Sequence, residues 1–221
     1  MKKIYVRNLK KTHWNNIFHA MHCFTDNRSL STKDELWFTE HHPIFTKGNS
    51  EKNENIIKNL KNISVMNCDR GGKITYHGPG QQLVYILVNF KLLGINIKNF
   101  IFLIHQVVLK TLKYFFINGY IIKKFPGVYI NNKKFCSIGF RIKNYCSLHG
   151  ISYNINTNLT PYNYIYPCGN KSMKMINLID LLPGITMNIF RKKFIQNFSK
   201  IFKYKIIYKS PYGIFYTNNV Y

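Results

Sequence analysis

The chain of 221 residues has a single alanine, Ala20, and only eight acidic side chains against 32 lysines and arginines. With so few carboxylates, a two-carboxylate acid–base mechanism is not expected, and no Ser-His-Asp order can be traced. Arginine, the preferred reader of base edges, is scarce beside lysine. The five cysteines (Cys23, Cys68, Cys136, Cys146 and Cys168) are odd in number and lack Cys-x-x-Cys spacing. That excludes a disulfide framework or a zinc knuckle from the expectation. The opening MKKIYVRNLKK has no apolar core of a signal peptide. The apolar runs, such as that around Phe100 to Ile104, are far shorter than a membrane span. No internal repeat or low-complexity linker divides the sequence. A soluble, cytoplasmic protein with one domain over residues 1–221 is the expectation.

What is present is a sequence with a core to build. It is 46% hydrophobic and 16% aromatic, which disorder would not allow. The formal net charge of +24 would ordinarily suggest nucleic acid. Lys, Ile and Asn, residues with A/T-only codons, are abundant together and the lysines are scattered. Compositional bias therefore accounts for much of the charge. An acidic protein partner remains compatible with it.

Residues 3–8 alternate as a strand, and Trp14, Ile17, Phe18, Met21 and Phe24 form one face of a helix over 13–24. His19 and His22 share that helix with no third ligand in sequence, so they read as surface or satisfied polar groups. ELWFTEHHPIFTKG reads as a strand broken at the His-His-Pro step, with His41 and His42 on opposite faces. Residues 48–62 read as a polar connection with a short helix. ISVMNCD and LVYILVNF are strands, the second central in its sheet because it is apolar throughout. A long helix is expected over 96–117, stopped by Asn118-Gly119. Then come short strands with turns at Pro126-Gly127 and Asn131-Asn132, a helix capped by Thr186, and a final strand KIIYK. Strands in blocks rather than strict alternation with helices indicate an α/β (α+β) domain.

The stretch RGGKITYHGPGQQ, residues 70–82, places four glycines within ten positions. Either it is a glycine-rich hairpin or its backbone approaches a ligand closely. Cys168 lies in a loop between Pro167 and Gly169, where a half-buried thiol and a reactive one are both open readings. Lys133 and Lys134 precede a strand that should bury Phe135, Ser137 or both. A lysine beside an apolar strand can be desolvated and shuttle protons, or be a plain surface lysine.

Taken together, RGGKITYHGPGQQ, PGVYI with KKFCSIGFRI, CSLHGISYNIN and LTPYNYIYPCG resemble the octanoyl-protein (lipoyl(octanoyl)) transferases. HAMHCFTDNR and DELWFTEHHPIFTKG extend the resemblance to about residues 4–175. It implies a mixed β-sheet flanked by helices, the catalytic core shared with biotin and lipoate protein ligases. It implies Cys168 as acyl-carrying nucleophile and Lys134, rather than Lys133, as its partner. Substrate contacts would come from Arg70, Gly71, Gly72, Lys73, Ile74, Thr75, Tyr76 and His77, from Ser137, Ile138 and Gly139, and from Gly150, Ile151 and Ser152. Lys73, Asn170 and Ser172 depart from the family pattern.

The activity so implied is transfer of octanoyl from octanoyl-acyl carrier protein to a lysine of lipoyl domains, through a cysteine thioester. Acceptors would be lipoyl domains of 2-oxoacid dehydrogenases and the glycine cleavage H protein. No cofactor or metal, no nucleic-acid or membrane partner, and a monomeric state are expected. The alternative within the fold is an ATP-dependent lipoate-protein ligase, which would not need Cys168. From another class, a basic nucleic-acid-binding protein explains the charge but not the Pro-Cys-Gly and Arg-Gly-Gly blocks.

Overall fold

The computed structural model describes residues 1–51, 55–57 and 63–211. In chain order the elements are β1 (Lys2–Thr12), α1 (Trp14–Asp26), β2 (Asp34–His41), β3 (Ile44–Lys47), β4 (Val65–Asn67), β5 (Thr75–His77) and β6 (Gln81–Leu87). They continue with α2 (Phe90–Leu93), α3 (Ile97–Tyr114), β7 (Tyr120–Ile122), β8 (Phe125–Ile130), β9 (Lys133–Lys143), β10 (Cys146–Asn154), α4 (Met187–Phe202) and β11 (Tyr204–Lys209). Eight strands form one sheet in the order β11-β1-β2-β6-β10-β9-β8-β7, and β4-β3-β5 form a second, small sheet. The large sheet is mixed: β1 runs parallel to β11 and β2, and every other pairing is antiparallel.

Side chains alternate between the two faces of a strand, and here the two faces have different work. Leu36, Phe38, Val84, Ile86, Ile151 and Tyr153 point into the main core with Phe100, Ile104, Val107 and Val108 of α3 and Phe190, Phe194 and Phe198 of α4. The intervening Trp37, Leu83, Tyr85 and Leu87 face the other way, onto Ile17 and Met21 of α1. β6 is buried along its whole length, as a strand in mid-sheet with both faces covered must be. Thr186 caps α4 by accepting from Ile189 N–H, and Asn96 caps α3 by accepting from Asn99 N–H. None of the described helices is long and apolar enough to cross a membrane.

Several expectations are corrected. α3 ends at Tyr114, where Phe115 and the left-handed Phe116 turn the chain, not at Asn118-Gly119. Gly119 is instead a packing glycine; a Cβ there would meet Leu112 Cδ1 at 2.7 Å and Val128 Cγ1 at 3.1 Å. Pro126-Gly127 is not a turn: both residues lie inside β8, and the chain reverses at Lys123-Lys124. Asn131-Asn132 does turn, both with positive φ, the conformation a two-residue hairpin requires. Within ISVMNCD only Val65–Asn67 is strand, and it belongs to the small sheet. The short helix expected in 48–62 falls largely outside the described residues.

Lys203, exposed at the end of α4, holds a left-handed backbone (φ 56°) that costs a non-glycine residue about 1 kcal/mol. Lys203→Gly should therefore raise unfolding stability by about 1 kcal/mol, and Thr186→Ala should lower it by a similar amount. Urea titration measures both, with opposite shifts in midpoint at constant slope.

Candidate active site

Lys134 reaches the α1 face of the sheet through an irregularity in β9. The β8–β9 register pairs Gly127 with Ser137 and Val128 with Cys136, then shifts so that Tyr129 pairs with Lys134. Phe135 is the extra residue of a β-bulge, and both Phe135 and Cys136 turn into the main core beside Val128. Strict alternation would put Lys134 on the face opposite Ser137. The bulge puts it on the same one. Gly127, at φ +146°, makes room: a Cβ there would overlap Cys136 O and lie 2.7 Å from Lys134 Cε.

Lys134 is 2% exposed, and its Nζ donates a hydrogen bond to Cys168 Sγ at 3.0 Å. Among the described residues it has no carboxylate partner. Cys168 sits in a single 3-10 turn, Pro167–Gly169, with a left-handed backbone at φ 56°. The chain just beyond is tied to the lysine's own strand: Lys134 N–H donates to Lys174 O at 2.7 Å, and Ile176 N–H to Lys134 O at 3.1 Å. Two segments more than thirty residues apart thus hold thiol and amine in one frame.

The dyad closes one end of a cavity whose floor is β9 and β10. Gly139 pairs with Gly150 and Ser137 with Ser152, so four small residues line the cavity where larger side chains would fill it. Ile138 and Ile151 alternate onto the main core and contribute backbone to the cavity. Residues 70–75 form the opposite wall. Gly71 N–H donates to Phe140 O at 3.0 Å, and Arg70 Cδ lies 3.2 Å from where a Cβ on Gly139 would be. Trp14, Leu83 and Tyr85 supply apolar surface. The lining contains Arg70, Lys73 and Lys134 and no Asp or Glu.

Arg70 carries no ion pair among the described residues. Its Nη2 donates to Thr46 O at 2.7 Å and Thr46 Oγ1 at 2.9 Å, while its buried Nε has no partner. Burial lowers its pKa from the usual guanidinium value, against the pull of nearby thiols. Lys73 lies across Gly169, with Cδ and Cε both 3.1 Å from where a Cβ would be.

Of the sequence-derived candidates, Cys168, Lys134, Arg70, Gly71, Gly72, Lys73, Ile74, Thr75, His77, Ser137, Ile138, Gly139, Gly150, Ile151 and Ser152 all line this cavity. Tyr76 does not; alternation in β5 turns its ring onto Phe45 and Tyr162. Gly78 and Gly80 are also elsewhere. Gly78 fits under the Tyr76 hydroxyl, and Gly80 against the backbone of Asn156.

His77 is neutral and held by Gln81. Gln81 donates through its amide to Asn154 Oδ1 at 2.9 Å, so its Oε1 faces His77 and accepts from Nδ1 at 2.7 Å. Burial pushes His77 down to about 3. His41 behaves alike: Nδ1 donates to Thr12 O, Nε2 accepts from Tyr85 Oη, and burial pushes it down to about 4.

Sequence reasoning missed one cluster. Asp69 gathers His149 (Nε2 to Oδ1, 2.6 Å), His22 (Nε2 to Oδ2, 3.2 Å) and Arg141 (Nε to Oδ2, 3.1 Å). Burial raises the Asp69 pKa, but His149 and the cations outweigh it and the net shift is downward. The ligand atoms of His22, Asp69 and His149 have spacing a metal ion could bridge. Arg141 already supplies positive charge to that carboxylate. The only signal in the sequence was the adjacency of Asp69 to Arg70; His22 and His149 lie on α1 and β10.

The model of the lipoyl protein ligase A/B catalytic domain matches residues 16–199. The chain belongs to that family. It is 46% identical over 209 residues to the octanoyltransferase of Buchnera aphidicola subsp. Acyrthosiphon pisum, covering 94% of this chain and 99% of that relative. It is 40% identical over 205 residues to the octanoyltransferase of Photorhabdus laumondii, covering 93% and 96%. The fold is similar to a bipartite lipoate protein ligase from Thermoplasma acidophilum (TM-score 0.78, 13% identity, 95% and 88% coverage). It is also similar to the biotin protein ligase of Aquifex aeolicus with biotin and ATP (TM-score 0.58, 13% identity, 92% and 71% coverage). The family member described here is an acyltransferase, and the group it moves in protein lipoylation is octanoyl.

Gly127→Ala should displace Lys134 and cut acyl transfer on the order of 100-fold, the cost of about 1 Å of misplacement at a reacting centre. Steady-state rates beside a thermal melt would separate this from global unfolding. A second expectation concerns pH. His41 and His77 are depressed in the fold below the ordinary imidazole value of about 6.5, so their contribution to stability is fully present above that pH. Stability is lost as pH falls from about 6.5 toward 4, by about 3 kcal/mol for each ring, because the unfolded chain binds the protons more readily. Urea midpoints at pH 7.5 and 4.5 should show the fall, and a flat profile would contradict the neutral burial of these rings.

Proposed function

We propose that the protein transfers octanoyl from octanoyl-acyl carrier protein to a lysine of lipoyl domains in the cytoplasm, through a thioester on Cys168. The observation that carries this reading is the 3.0 Å contact of Lys134 Nζ with Cys168 Sγ at the end of a cavity without carboxylates. The family membership agrees with it.

In the first half-reaction the Cys168 proton passes to Lys134 and the sulfur attacks the donor's thioester carbonyl carbon. The bond to the carrier sulfur breaks, and Lys134 returns the proton to that leaving thiolate. One thioester replaces another, so no nucleotide is needed. In the second half-reaction the acceptor amine attacks the octanoyl-cysteine carbon. Lys134 takes the amine proton as general base, the amide forms, and the proton returns to the departing Cys168 sulfur. Both tetrahedral oxyanions develop where Arg70, Lys73 and Lys134 supply positive charge away from bulk water. The acyl chain lies on the Gly139–Gly150 floor, and each methylene buried contributes roughly 0.8 kcal/mol.

The test is intact mass after mixing with octanoyl-acyl carrier protein and no ATP. The wild type should gain one octanoyl group that hydroxylamine removes, and Cys168→Ser should gain none. Lys134→Ala should form the adduct at least 100-fold more slowly. Transfer that persists in Cys168→Ser and requires ATP would overturn this reading in favour of a ligase.

A further inference from the structure

The acceptor must bring a lysine side chain, which reaches only a few ångströms, to a thioester at Cys168. The donor, by contrast, delivers its acyl group on a long prosthetic arm. The folded body of the acceptor therefore has to sit beside the cavity mouth, and the surface there is unusual. β7 is the end strand of the large sheet, and among the described residues its one strand neighbour is β8. Its three residues are all apolar and open: Tyr120 is 39% exposed, Ile121 43% and Ile122 37%. Phe116, four residues before, is 97% exposed with a left-handed backbone. A bare apolar edge is a template for another strand, and proteins that do not use such an edge usually blunt it.

The edge adjoins the chemistry. Ile122 pairs with Phe125, and the next residue, Pro126, lines the cavity with Lys134 and Cys168. A strand added to β7 would lie about 14 Å from β9, three strand spacings, within reach of a turn from a small domain docked there. The rim is basic, through exposed Lys113, Lys123, Lys124 and Lys133. More telling is the distribution of acids. Residues 70–179 contain fourteen lysines and arginines and no Asp or Glu, although the rest of the chain holds all eight carboxylates. Two copies of this edge would bring like charges together, which disfavours a homodimer and favours an acidic partner.

Resting on the function proposed above, we propose that β7 and the Lys123-Lys124 turn dock the acceptor domain by accepting an acidic edge strand from it. The donor does not use this surface.

The experiment compares the full-length wild type with Ile121→Asp and with Lys123→Glu/Lys124→Glu. Two rates are read: acylation of Cys168 by octanoyl-acyl carrier protein, and transfer to an apo-lipoyl domain or to a short lysine peptide. The expected result is a rise of tenfold or more in KM for the domain. Acylation and peptide transfer should stay within about twofold. The wild-type KM for the domain should climb with salt, and less steeply in the double variant. Unchanged domain KM in both variants would overturn the proposal, as would an equal slowing of acylation, which would assign the edge to the donor. A KM change that tracks loss of a dimer on size exclusion would assign it to a second copy. Absence of any wild-type octanoyl adduct would instead count against the function proposed above.

Discussion

The arrangement depends on keeping one lysine amine out of water and against a sulfur. Lys134 is buried without a carboxylate, so Cys168 and the charges that develop on a bound substrate are its counterparts. Burying a polar amine costs free energy unless it is hydrogen-bonded, and the fold concentrates its devices on this point. A bulge turns the lysine to the cavity face, Gly127 clears its path, and residues 174–176 bind its strand so that the cysteine cannot drift. A centre that carries positive charge and lacks negative charge is suited to reactions whose intermediates are anions.

The two faces of the sheet divide a packed core from an open cavity. On one, phenylalanines of α3 and α4 interlock with the odd-and-even set of β2, β6 and β10, a core in which size and shape are at a premium. On the other, β9 and β10 present glycine and serine, leaving a groove rather than filling it. Histidines near the groove, His41 and His77, are held neutral by burial, which outweighs the opposite pull of their hydrogen bonds to Thr12 O and Gln81 Oε1. Neutral at physiological pH, they add no charge to the wall.

Much of this was legible in the sequence because it is local. The i, i+3, i+4 pattern from Trp14 to Phe24, the apolar run that became β6, and the caps Asn96 and Thr186 each need only a few neighbouring residues to be read. The motif blocks brought Cys168, Lys134 and the Arg70 segment to one cavity. What escaped was non-local or came from a broken rule. Pro126-Gly127 carries the composition of a turn but sits within a strand, because Gly127 is needed for space beside Lys134. Asn118-Gly119 looks like a helix stop, but α3 stops four residues before Asn118, at Tyr114. Asp69, His22, His149 and Arg141 come from four separate segments, and no spacing along the chain announces their meeting.

The bulge at Phe135 gives β9 something like a reading frame. On its C-terminal side the strand counts cavity, core, cavity from Ser137; on its N-terminal side the count restarts at Lys134. The extra residue is a spatial punctuation mark, and the meaning of every side chain before it depends on its presence. The Lys134–Cys168 contact is therefore encoded partly in the number of residues between two positions, independent of which residues they are.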